Sequence, residues 1–417
     1  MKAGAGKSEI TLPEEYLEIE DFVVVHRTLN ARAVVLECGS FVVLLSLELT
    51  SVPDEEAQEI RKQIAKTFQV EESHIWVCVT HTFSTPHFWP DSVLKDRKKI
   101  EQKGKFREEL LKASLDATKI AFSRLGPAKT GMGTGYSLVN CNRDIRLEDG
   151  WWVGTRGPGL TDHQVDTIRI EKEDGSPLAV IFHYAIQSSV LDGSMLSAGG
   201  KAVTPDVAGI ACDYVEKNMG APDLVALFLI GASGDQVPVE KAVNETFVRG
   251  ERIRTDRREE GFGICEKLGI SLGETVCQTA RDISCEEKNE NFEFGNLEFF
   301  VPGKEMEPQL KNLHPEKVPL YRNTQDRKTS VEVISIGNLA LVGIRPELNC
   351  GSGVALKTLS PYAYTLVCTM VNGSSKYMAE KDSYDRSTYE AMNSPFGKGA
   401  AEILLRETLG LLEKMNK

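Results

Sequence analysis

The residue best placed to do chemistry is His81, which stands where an apolar run ends and a polar loop begins. Residues 77–79 are Val-Cys-Val, and residues 82–86 are Thr-Phe-Ser-Thr-Pro. A strand holds the base of a side chain rigidly while a loop leaves its tip open to a substrate, which suits a metal-binding or proton-handling histidine. The same position is also typical of an ordinary histidine that is satisfied by hydrogen bonds at the end of a strand.

The elements that must position such a residue alternate between strand and helix along the chain. Apolar and β-branched runs predict strands at 32–37, 41–49, 75–80, 178–186, 224–230, 331–336, 339–344 and 363–370. Short turns at 38–40 and 336–338 predict two hairpins. Helical periodicity predicts a helix that begins at Pro53 and further helices at 105–125, 202–219 and 400–415. This alternation predicts an α/β fold with mixed β-sheets flanked by helices.

Length and composition bound the architecture. The chain has 417 residues, of which 41% are hydrophobic, and this is enough for a large buried core. The sequence contains no low-complexity linker and no repeat of fixed period, so we expect one continuous domain over residues 1–417. The most polar stretch, residues 241–258, is predicted to be a solvated connection rather than a domain boundary.

Net charge and the distribution of apolar residues exclude several classes of partner. A net charge of -12 argues against nonspecific nucleic-acid binding, because phosphate contacts require a basic surface. Residues 1–11 lack the apolar core of a signal peptide, and no later apolar stretch approaches the roughly 18 residues of a membrane span. We therefore expect a cytoplasmic protein without stable membrane association, acting on a small molecule.

The nine cysteines form no CxxC pair, which argues against a zinc knuckle and against a disulfide framework. We predict reduced thiols, with Cys78 and Cys368 acting as small buried hydrophobic groups in apolar strands. Phosphate-binding loops are also not indicated. Gly6-Lys7-Ser8 lacks the leading glycine of a P-loop, and the glycine-rich residues 131–135 are predicted to be a flexible turn because no helix follows them.

Five short motifs together resemble the neutral/alkaline ceramidase family, in the order in which that family carries them. They are Thr80-His81-Thr82 with Ser84 and Pro86, Asn140-Cys141-Asn142-Arg143, Gly234-Asp235 with Pro238, Pro346-Glu347, and Tyr389-Glu390 with Ser394 and Gly397. The run at 29–36 is similar as well. The resemblance covers nearly the whole chain and implies the fold of that family's catalytic domain, without its C-terminal immunoglobulin-like module.

In that family a zinc ion is held by two histidines, a glutamate and a tyrosine. The amide bond of ceramide is hydrolysed with help from an arginine, a second tyrosine and a serine. The resemblance implies that the metal ligands here are His81, Gln187, Glu347 and Tyr377. It also implies that Arg143 and Tyr389 are the arginine and tyrosine on the substrate side.

This sequence departs from the family in its metal ligands. Phe83 replaces the second histidine of the family's Thr-His-Thr-His signature, and Gln187 stands in the position of the second zinc-binding histidine. A neutral amide is a weak ligand. We therefore expect weaker zinc binding, preference for another divalent ion, or recruitment of the nearby His183 or His87.

A second departure concerns the nucleophile. Val237 stands in the position of the family's catalytic serine, and valine cannot attack a substrate. Water is then the expected nucleophile, with Asp235 or Glu347 handling its proton. Classical ceramide hydrolysis is therefore not expected.

Taken without the resemblance, each of these residues has an ordinary interpretation. Glu347 can cap the segment after Pro346, and Tyr377 can lie at the surface. Arg143 can pair with a neighbouring carboxylate at 144 or 148, and Tyr389 can lie at the edge of the core. The segment 148–157, which contains two tryptophans, is either the lip of a pocket or a packed loop.

Three functions follow from these residues. The leading hypothesis is a ceramidase-like hydrolase that uses zinc or another divalent metal to cleave an amide, ester or lactone of a small soluble metabolite. In it, Arg143 and Tyr389 steady negative charge and Asp235 orients the site. The second is an isomerase, epimerase or lyase that uses the same metal as a Lewis acid. The third is a non-catalytic binding protein with a degenerate site.

Overall fold

A computed structural model of the chain describes residues 1–17, 19–89, 94, 96–148, 150–248, 251–287, 290–306 and 321–417. In chain order, the strands are β1 (Lys2–Ile10), β2 (Phe22–Val25), β3 (Leu29–Cys38), β4 (Ser40–Leu47), β5 (Ile75–Val79), β6 (Gly126–Tyr136), β7 (Asn140–Asn142), β8 (Asp144–Leu147), β9 (Gly150–Val153), β10 (Gln164–Lys172), β11 (Pro177–Tyr184), β12 (Lys201–Val203), β13 (Val225–Ile230), β14 (Gln236–Pro238), β15 (Val243–Val248), β16 (Glu251–Asp256), β17 (Glu293–Met306), β18 (Tyr321–Ile336), β19 (Leu339–Ile344), β20 (Glu347–Leu348), β21 (Tyr364–Cys368) and β22 (Tyr377–Met378). The helices are α1 (Glu14–Leu17), α2 (Asp54–Phe68), α3 (Arg97–Ser123), α4 (Asp206–Asn218), α5 (Glu260–Asp282), α6 (Cys350–Leu359), α7 (Lys381–Arg386), α8 (Tyr389–Met392) and α9 (Ala400–Met415).

Two mixed sheets form the centre of the described part of the chain. The larger has eight strands in the order β13-β11-β10-β6-β1-β3-β4-β5, and the smaller has four in the order β17-β18-β19-β21. The larger sheet has a parallel pair at each edge, β11 with β13 and β4 with β5. In the smaller sheet, β19 and β21 are parallel. The remaining neighbours within the two sheets are antiparallel.

The two sheets pack face to face, and helices cover both outer faces. Because side chains alternate along a strand, one set fills the space between the sheets and the other lies under the helices. In β13, Val225, Leu227 and Leu229 lie between the sheets, whereas Ala226 and Phe228 pack with α4 and α5. Helices α2 and α3 cover the other half of the larger sheet, and α6 and α9 cover the smaller sheet. The predicted α/β fold with mixed sheets flanked by helices is therefore confirmed.

Several predicted elements are present, with some changes at their ends. The hairpins β3–β4 and β18–β19 turn at Gly39 and Gly337, which have φ values of 74° and 53°. Helix α9 covers the predicted residues 400–415. Helix α3 begins before the predicted residue 105, because the Asp96 side chain accepts a 2.9 Å hydrogen bond from the Lys98 backbone N–H and caps it there. Helix α4 begins after the predicted residue 202, because β12 occupies residues 201–203.

Two predictions of irregular structure are wrong. Residues 131–135 lie within strand β6 rather than in a flexible turn. A Cβ on Gly131 would lie 2.3 Å from the backbone oxygen of Ser284, so glycine here allows the chain that follows α5 to approach the strand. The polar stretch 241–258 forms the hairpin β15–β16 rather than an irregular connection. Residues 249 and 250 of that stretch lie outside the described residues.

Cys78 and Cys368 lie buried between the two sheets, as the sequence predicted. Gly6-Lys7-Ser8 lies inside β1, a setting that differs from that of a P-loop. Among the described residues, no helix has both the length and the apolar character needed to span a membrane.

Candidate active site

The predicted site residues meet at the carboxyl ends of strands from both sheets. His81 follows β5, Gln187 follows β11 and Glu347 follows β19, and each of these strands belongs to a parallel pair. Side chains just beyond the carboxyl ends of parallel strands are held rigidly and face a common crevice. This placement explains how residues far apart in the chain come into contact.

His81 is held in a strained backbone conformation. Its φ of 54° lies in the left-handed region, which costs about 1–3 kcal/mol for a non-glycine residue and is typical of functional sites. The imidazole is buried, and its Nδ1 lies 2.5 Å from the backbone oxygen of Thr50. Because a carbonyl only accepts, Nδ1 carries the proton and donates it. Atom Nε2 then faces Glu347 Oε2 at 3.2 Å.

Glu347 and Tyr377 are neighbours in a short parallel pair, β20 with β22. The Glu347 backbone N–H donates a 2.8 Å hydrogen bond to the backbone oxygen of Lys376, which fixes the register of this pair. Both side chains are buried. The structure therefore brings the predicted carboxylate and phenol together, and it rules out a surface position for Tyr377.

Gln187 bridges the two charged groups of the site. Its Oε1 accepts a 2.9 Å hydrogen bond from Arg143 Nη1, and its Nε2 donates a 2.9 Å hydrogen bond to Glu347 Oε2. The reverse amide orientation would place the NH₂ group against the Arg143 donor and the oxygen against the Glu347 acceptor. These two partners therefore determine the orientation of the Gln187 amide. The oxygen that would bind a metal is thus engaged by Arg143. Metal binding by Gln187 stays a prediction.

Arg143 lies buried against two aromatic rings that also contact each other. The centre of its guanidinium is 5.3 Å from the Tyr377 ring and 5.1 Å from the Tyr389 ring, within cation–π range. Its Nε donates a 2.6 Å hydrogen bond to Glu390 Oε1. Burial acts to lower the pKa of Arg143, but Glu390 and the tyrosines raise it well above its ordinary value. The partner is therefore Glu390, and neither Asp144 nor Glu148 forms a described hydrogen bond or ion pair with Arg143.

Opposing forces set the charge states of the imidazole and the carboxylate. Burial acts to lower the pKa of His81, but Glu347 and the Thr50 carbonyl outweigh it, and the pKa is raised. Burial acts to raise the pKa of Glu347, but His81, Arg143 and the Gln187 amide lower it. Burial raises the pKa of both Tyr377 and Tyr389. The phenols are thus neutral at pH 7 without a further cation.

A divalent ion requires several nitrogen or oxygen donors that converge on one point. Among the described residues, no three His, Cys, Asp or Glu side chains come together as a metal-binding group. However, His81 Nε2 is buried without a hydrogen-bond partner, and it faces a carboxylate oxygen of Glu347. A nitrogen lone pair and a carboxylate oxygen at 3.2 Å repel, so either a proton, which the raised pKa of His81 favours, or a cation lies between them. His81, Glu347 and Tyr377 supply nitrogen and oxygen donors, and three protein ligands are typical of catalytic zinc. These residues therefore fit a divalent ion.

Asp235 contacts the framework of the site rather than its charged centre. Its side chain accepts hydrogen bonds from Asn142 Nδ2 at 2.9 Å, Gln236 Nε2 at 3.0 Å and the Cys350 backbone N–H at 2.8 Å. Burial raises the pKa of Asp235 to about 6. These contacts join β7, β14 and the first residue of α6. They support the predicted orienting role more directly than the proton-handling role, and both stay predictions.

Two buried carboxyl groups near Arg143 received no role from the sequence. Glu390 is its ion-pair partner, and Glu390 Oε2 is buried without a hydrogen bond. Burial, followed by the charges of Glu390 and Asp235, raises the pKa of Asp144 to about 9. Their positions in the sequence offered a signal, because Glu390 belongs to the Tyr389-Glu390 motif and Asp144 directly follows the motif that ends at Arg143.

The histidines considered as replacement ligands lie elsewhere. His183 Nε2 contacts the Val367 backbone oxygen at 2.9 Å, and His183 Nδ1 lies 3.6 Å from Asp166. His87 Nδ1 contacts Glu20 at 2.7 Å. In the described contacts, neither ring meets His81 or Glu347. Both rings are engaged by other partners, and recruitment of either as a metal ligand stays a prediction.

The aromatic segment after Arg143 is packed rather than open. Asp149 lies outside the described residues. Trp152 is buried, and the Trp151 ring lies 4.8 Å from the Arg386 guanidinium. The residues that border a surface groove, Val153 and Gly154, follow these tryptophans. The packed-loop interpretation therefore holds for the tryptophans, and the pocket lip lies just beyond them.

Comparisons with solved structures identify the fold. A crystal structure of neutral ceramidase from Pseudomonas aeruginosa matches with a TM-score of 0.74 and 18% identity, over 99% of this chain and 74% of that chain. A ceramidase complexed with C2 matches with a TM-score of 0.74 and 16% identity, over 100% of this chain and 75% of that chain. No protein-family model and no curated protein sequence matches. The chain has the neutral-ceramidase fold, as the sequence motifs predicted, and at this identity the likeness concerns the fold alone.

Proposed function

We propose that this protein is a metal-dependent hydrolase that cleaves an amide, ester or lactone bond in a small molecule. The observation that carries this proposal is the contact between His81 Nε2 and Glu347 Oε2 at 3.2 Å, beside a buried arginine. An imidazole nitrogen and a carboxylate that face each other, with a phenol alongside, are the donor types that a hydrolytic metal site uses.

His81, Glu347 and Tyr377 would hold the divalent ion. When bound, such an ion polarises a carbonyl oxygen and lowers the pKa of water, so that water becomes an effective nucleophile at neutral pH. Water fits this role because the serine position of the family is Val237, a buried hydrocarbon side chain.

The remaining residues act on charge and position. The Thr50 carbonyl fixes the His81 ring, and the Gln187 amide fixes the Glu347 carboxylate. Arg143 carries a permanent positive charge in a buried site, where it stabilises negative charge that develops on a carbonyl oxygen. Tyr389 is half-buried beside Arg143 and can donate its O–H to the same oxygen.

Elemental analysis combined with product analysis tests the proposal. Purified protein is expected to retain a stoichiometric divalent ion, and His81→Ala and Glu347→Gln are expected to lose it while remaining folded by circular dichroism. Hydrolysis adds one water to the mass of the substrate, whereas isomerisation leaves that mass unchanged. A protein that binds no divalent ion, is not stabilised by added zinc or manganese and hydrolyses no amide or ester would contradict the proposal.

A further inference from the structure

Asp206, the first residue of helix α4, is a buried acid that the proposed mechanism does not use. Its backbone φ of 52° lies in the left-handed region. Burial raises the pKa of Asp206, and the groups that oppose this rise are backbone N–H donors and the Cys265 thiol. A buried acid in a strained backbone conformation costs free energy, and costs of this kind are concentrated at functional sites.

The Asp206 carboxylate holds residues 188–191, the segment just after Gln187. Its Oδ1 accepts a 3.3 Å hydrogen bond from the Val190 backbone N–H, and its Oδ2 accepts a 3.2 Å hydrogen bond from the Leu191 backbone N–H. The segment is thereby fixed against the N-terminus of α4. Because Gln187 directly precedes it, this anchoring also fixes the backbone from which the Gln187 side chain projects.

The segment that follows His81 is held at the same place. Ser84 Oγ donates a 3.4 Å hydrogen bond to Asp206 Oδ2. The Thr204 backbone N–H donates a 3.0 Å hydrogen bond to the Ser84 backbone oxygen, and the Thr82 hydroxyl donates one of the same length to the Thr204 backbone oxygen. The residues after His81 are therefore tied to the two residues that lead into α4.

The two anchored segments also meet each other and the third support of the site. The Phe83 backbone N–H donates a 2.9 Å hydrogen bond to the Ser188 backbone oxygen. A Cβ on Gly209 would lie 2.6 Å from Glu48 Oε1, so glycine lets the first turn of α4 approach the chain just before Thr50. The carbonyl of Thr50 holds the site imidazole. The start of α4 thus contacts all three segments.

We propose that Asp206 is a positioning residue of the metal site. Through the segments that follow His81 and Gln187, it sets the separation between the imidazole and the Glu347 carboxylate that Gln187 holds. This inference rests on the hydrolase proposed above and adds a residue on which its metal binding depends. Asp206 acts through these backbone segments rather than as a ligand.

Asp206→Asn tests the positioning role and leaves the helix start intact. Asparagine tolerates the left-handed conformation and caps helices, so its oxygen keeps the bond to the Val207 backbone N–H. Its NH₂ group then faces the Leu191 N–H, which it cannot accept. The loop contact is therefore lost while the cap is kept.

Cobalt(II) is the probe, since a chelator competition gives its affinity and its visible absorption bands report the arrangement of its ligands. We expect Asp206→Asn to bind cobalt about tenfold more weakly, with altered bands, as found for residues that orient metal ligands. Val215→Ala is the matched control, because Val215 is a buried apolar residue further along α4. That control should lower stability and leave the affinity and the bands unchanged.

A signal from His81 separates this inference from the proposed function. The His81 Nδ1–H donates to the Thr50 carbonyl, and the position of its proton NMR resonance depends on the geometry of that hydrogen bond. If the wild type binds no cobalt, the metal-dependent function fails and this resonance decides. A shift in Asp206→Asn that is absent in Val215→Ala supports the positioning role.

Three results overturn the inference: unchanged cobalt affinity in Asp206→Asn, an equal loss of affinity in Val215→Ala, or, in protein that binds no metal, an unmoved His81 resonance. If Asp206→Asn does not fold, Ser84→Ala takes its place, because it removes one hydroxyl from the same carboxylate. It should give a smaller change in the same direction, and no change overturns the inference.

Discussion

Arg143 and Glu390 lie 247 positions apart in the chain, yet Arg143 Nε donates a 2.6 Å hydrogen bond to Glu390 Oε1 with both side chains buried. The guanidinium is then held against Gln187, which in turn holds Glu347 and through it the His81 side of the site. The ion pair thus begins a connected series of polar contacts across the candidate active site.

Glu390→Gln is expected to lower the free energy of unfolding by about 3 kcal/mol, because a buried arginine then lacks its counter-ion. Urea unfolding followed by circular dichroism measures this change. Glu407→Gln is the matched control, since Glu407 forms a more exposed ion pair with Arg406 and should change stability by less than about 1 kcal/mol. Equal destabilisation by the two variants would contradict the importance of the Arg143 pair.

Gln187→Leu is expected to weaken metal binding by about 10- to 100-fold, because the amide orients the Glu347 carboxylate through a hydrogen bond. Competition with a chromogenic chelator measures the dissociation constant. Gln63→Leu on α2 is the control, since its amide donates to Glu59. Unchanged affinity in Gln187→Leu would show that neither bridging nor ligation by this residue matters.

The sequence predicts the parts of this site that sit at the ends of apolar strands. A strand such as β13, which is buried on both faces, must be apolar throughout, and the loop after it is therefore easy to locate. Motif positions then identify His81, Glu347 and Arg143. The contact between His81 and Glu347 was expected from the resemblance, and the parallel strand pairs provide its physical basis.

Other features depend on packing that no local pattern records. The partner of Arg143 lies on the four-residue helix α8, which is too short to have a periodicity. The glycines of β6 have the composition of a turn, although they lie in a strand. They allow a segment about 150 positions later in the chain to pack closely, as the contact of Gly131 with Ser284 shows. Among the described side chains, none from the β15–β16 hairpin belongs to the hydrophobic core, so the hairpin lacks the apolar alternation that reveals a half-buried strand.

Lys304 predicts a pH dependence of stability. Its buried Nζ donates to the backbone oxygens of Ala391 and Met392, the latter at 3.3 Å, at the end of the helix that carries Glu390. Burial lowers the pKa of Lys304 to about 7. In the unfolded chain lysine titrates at its ordinary value, so between pH 7 and about 10 the unfolded state binds more protons and stability rises with pH.

Lys304→Met is the test, because it removes the titrating group and keeps the length of the side chain. The wild type is expected to gain stability relative to this variant as pH rises from 7 to 9, by at most about 1.4 kcal/mol per pH unit. Urea unfolding at several pH values measures the difference. A difference that stays constant, or that falls with rising pH, would show that the buried amine keeps an ordinary pKa.

Gly131→Ala is expected to destabilise the protein by about 1–3 kcal/mol, because the added methyl would lie 2.3 Å from the Ser284 backbone oxygen and 2.5 Å from an Ile283 methyl group. Gly126→Ala is the control, because Gly126 lies in the same strand and an added Cβ there meets no described atom within 4 Å. This control separates the effect of the steric contact from the effect of replacing a glycine in a strand. That control should be neutral or slightly stabilising, since alanine loses less backbone entropy on folding. Thermal and urea unfolding of both variants measure the effect. If Gly131→Ala is as stable as Gly126→Ala, the close packing of the segment after α5 does not require glycine at position 131. The packing of α5 against β6 would then be looser than these contacts indicate.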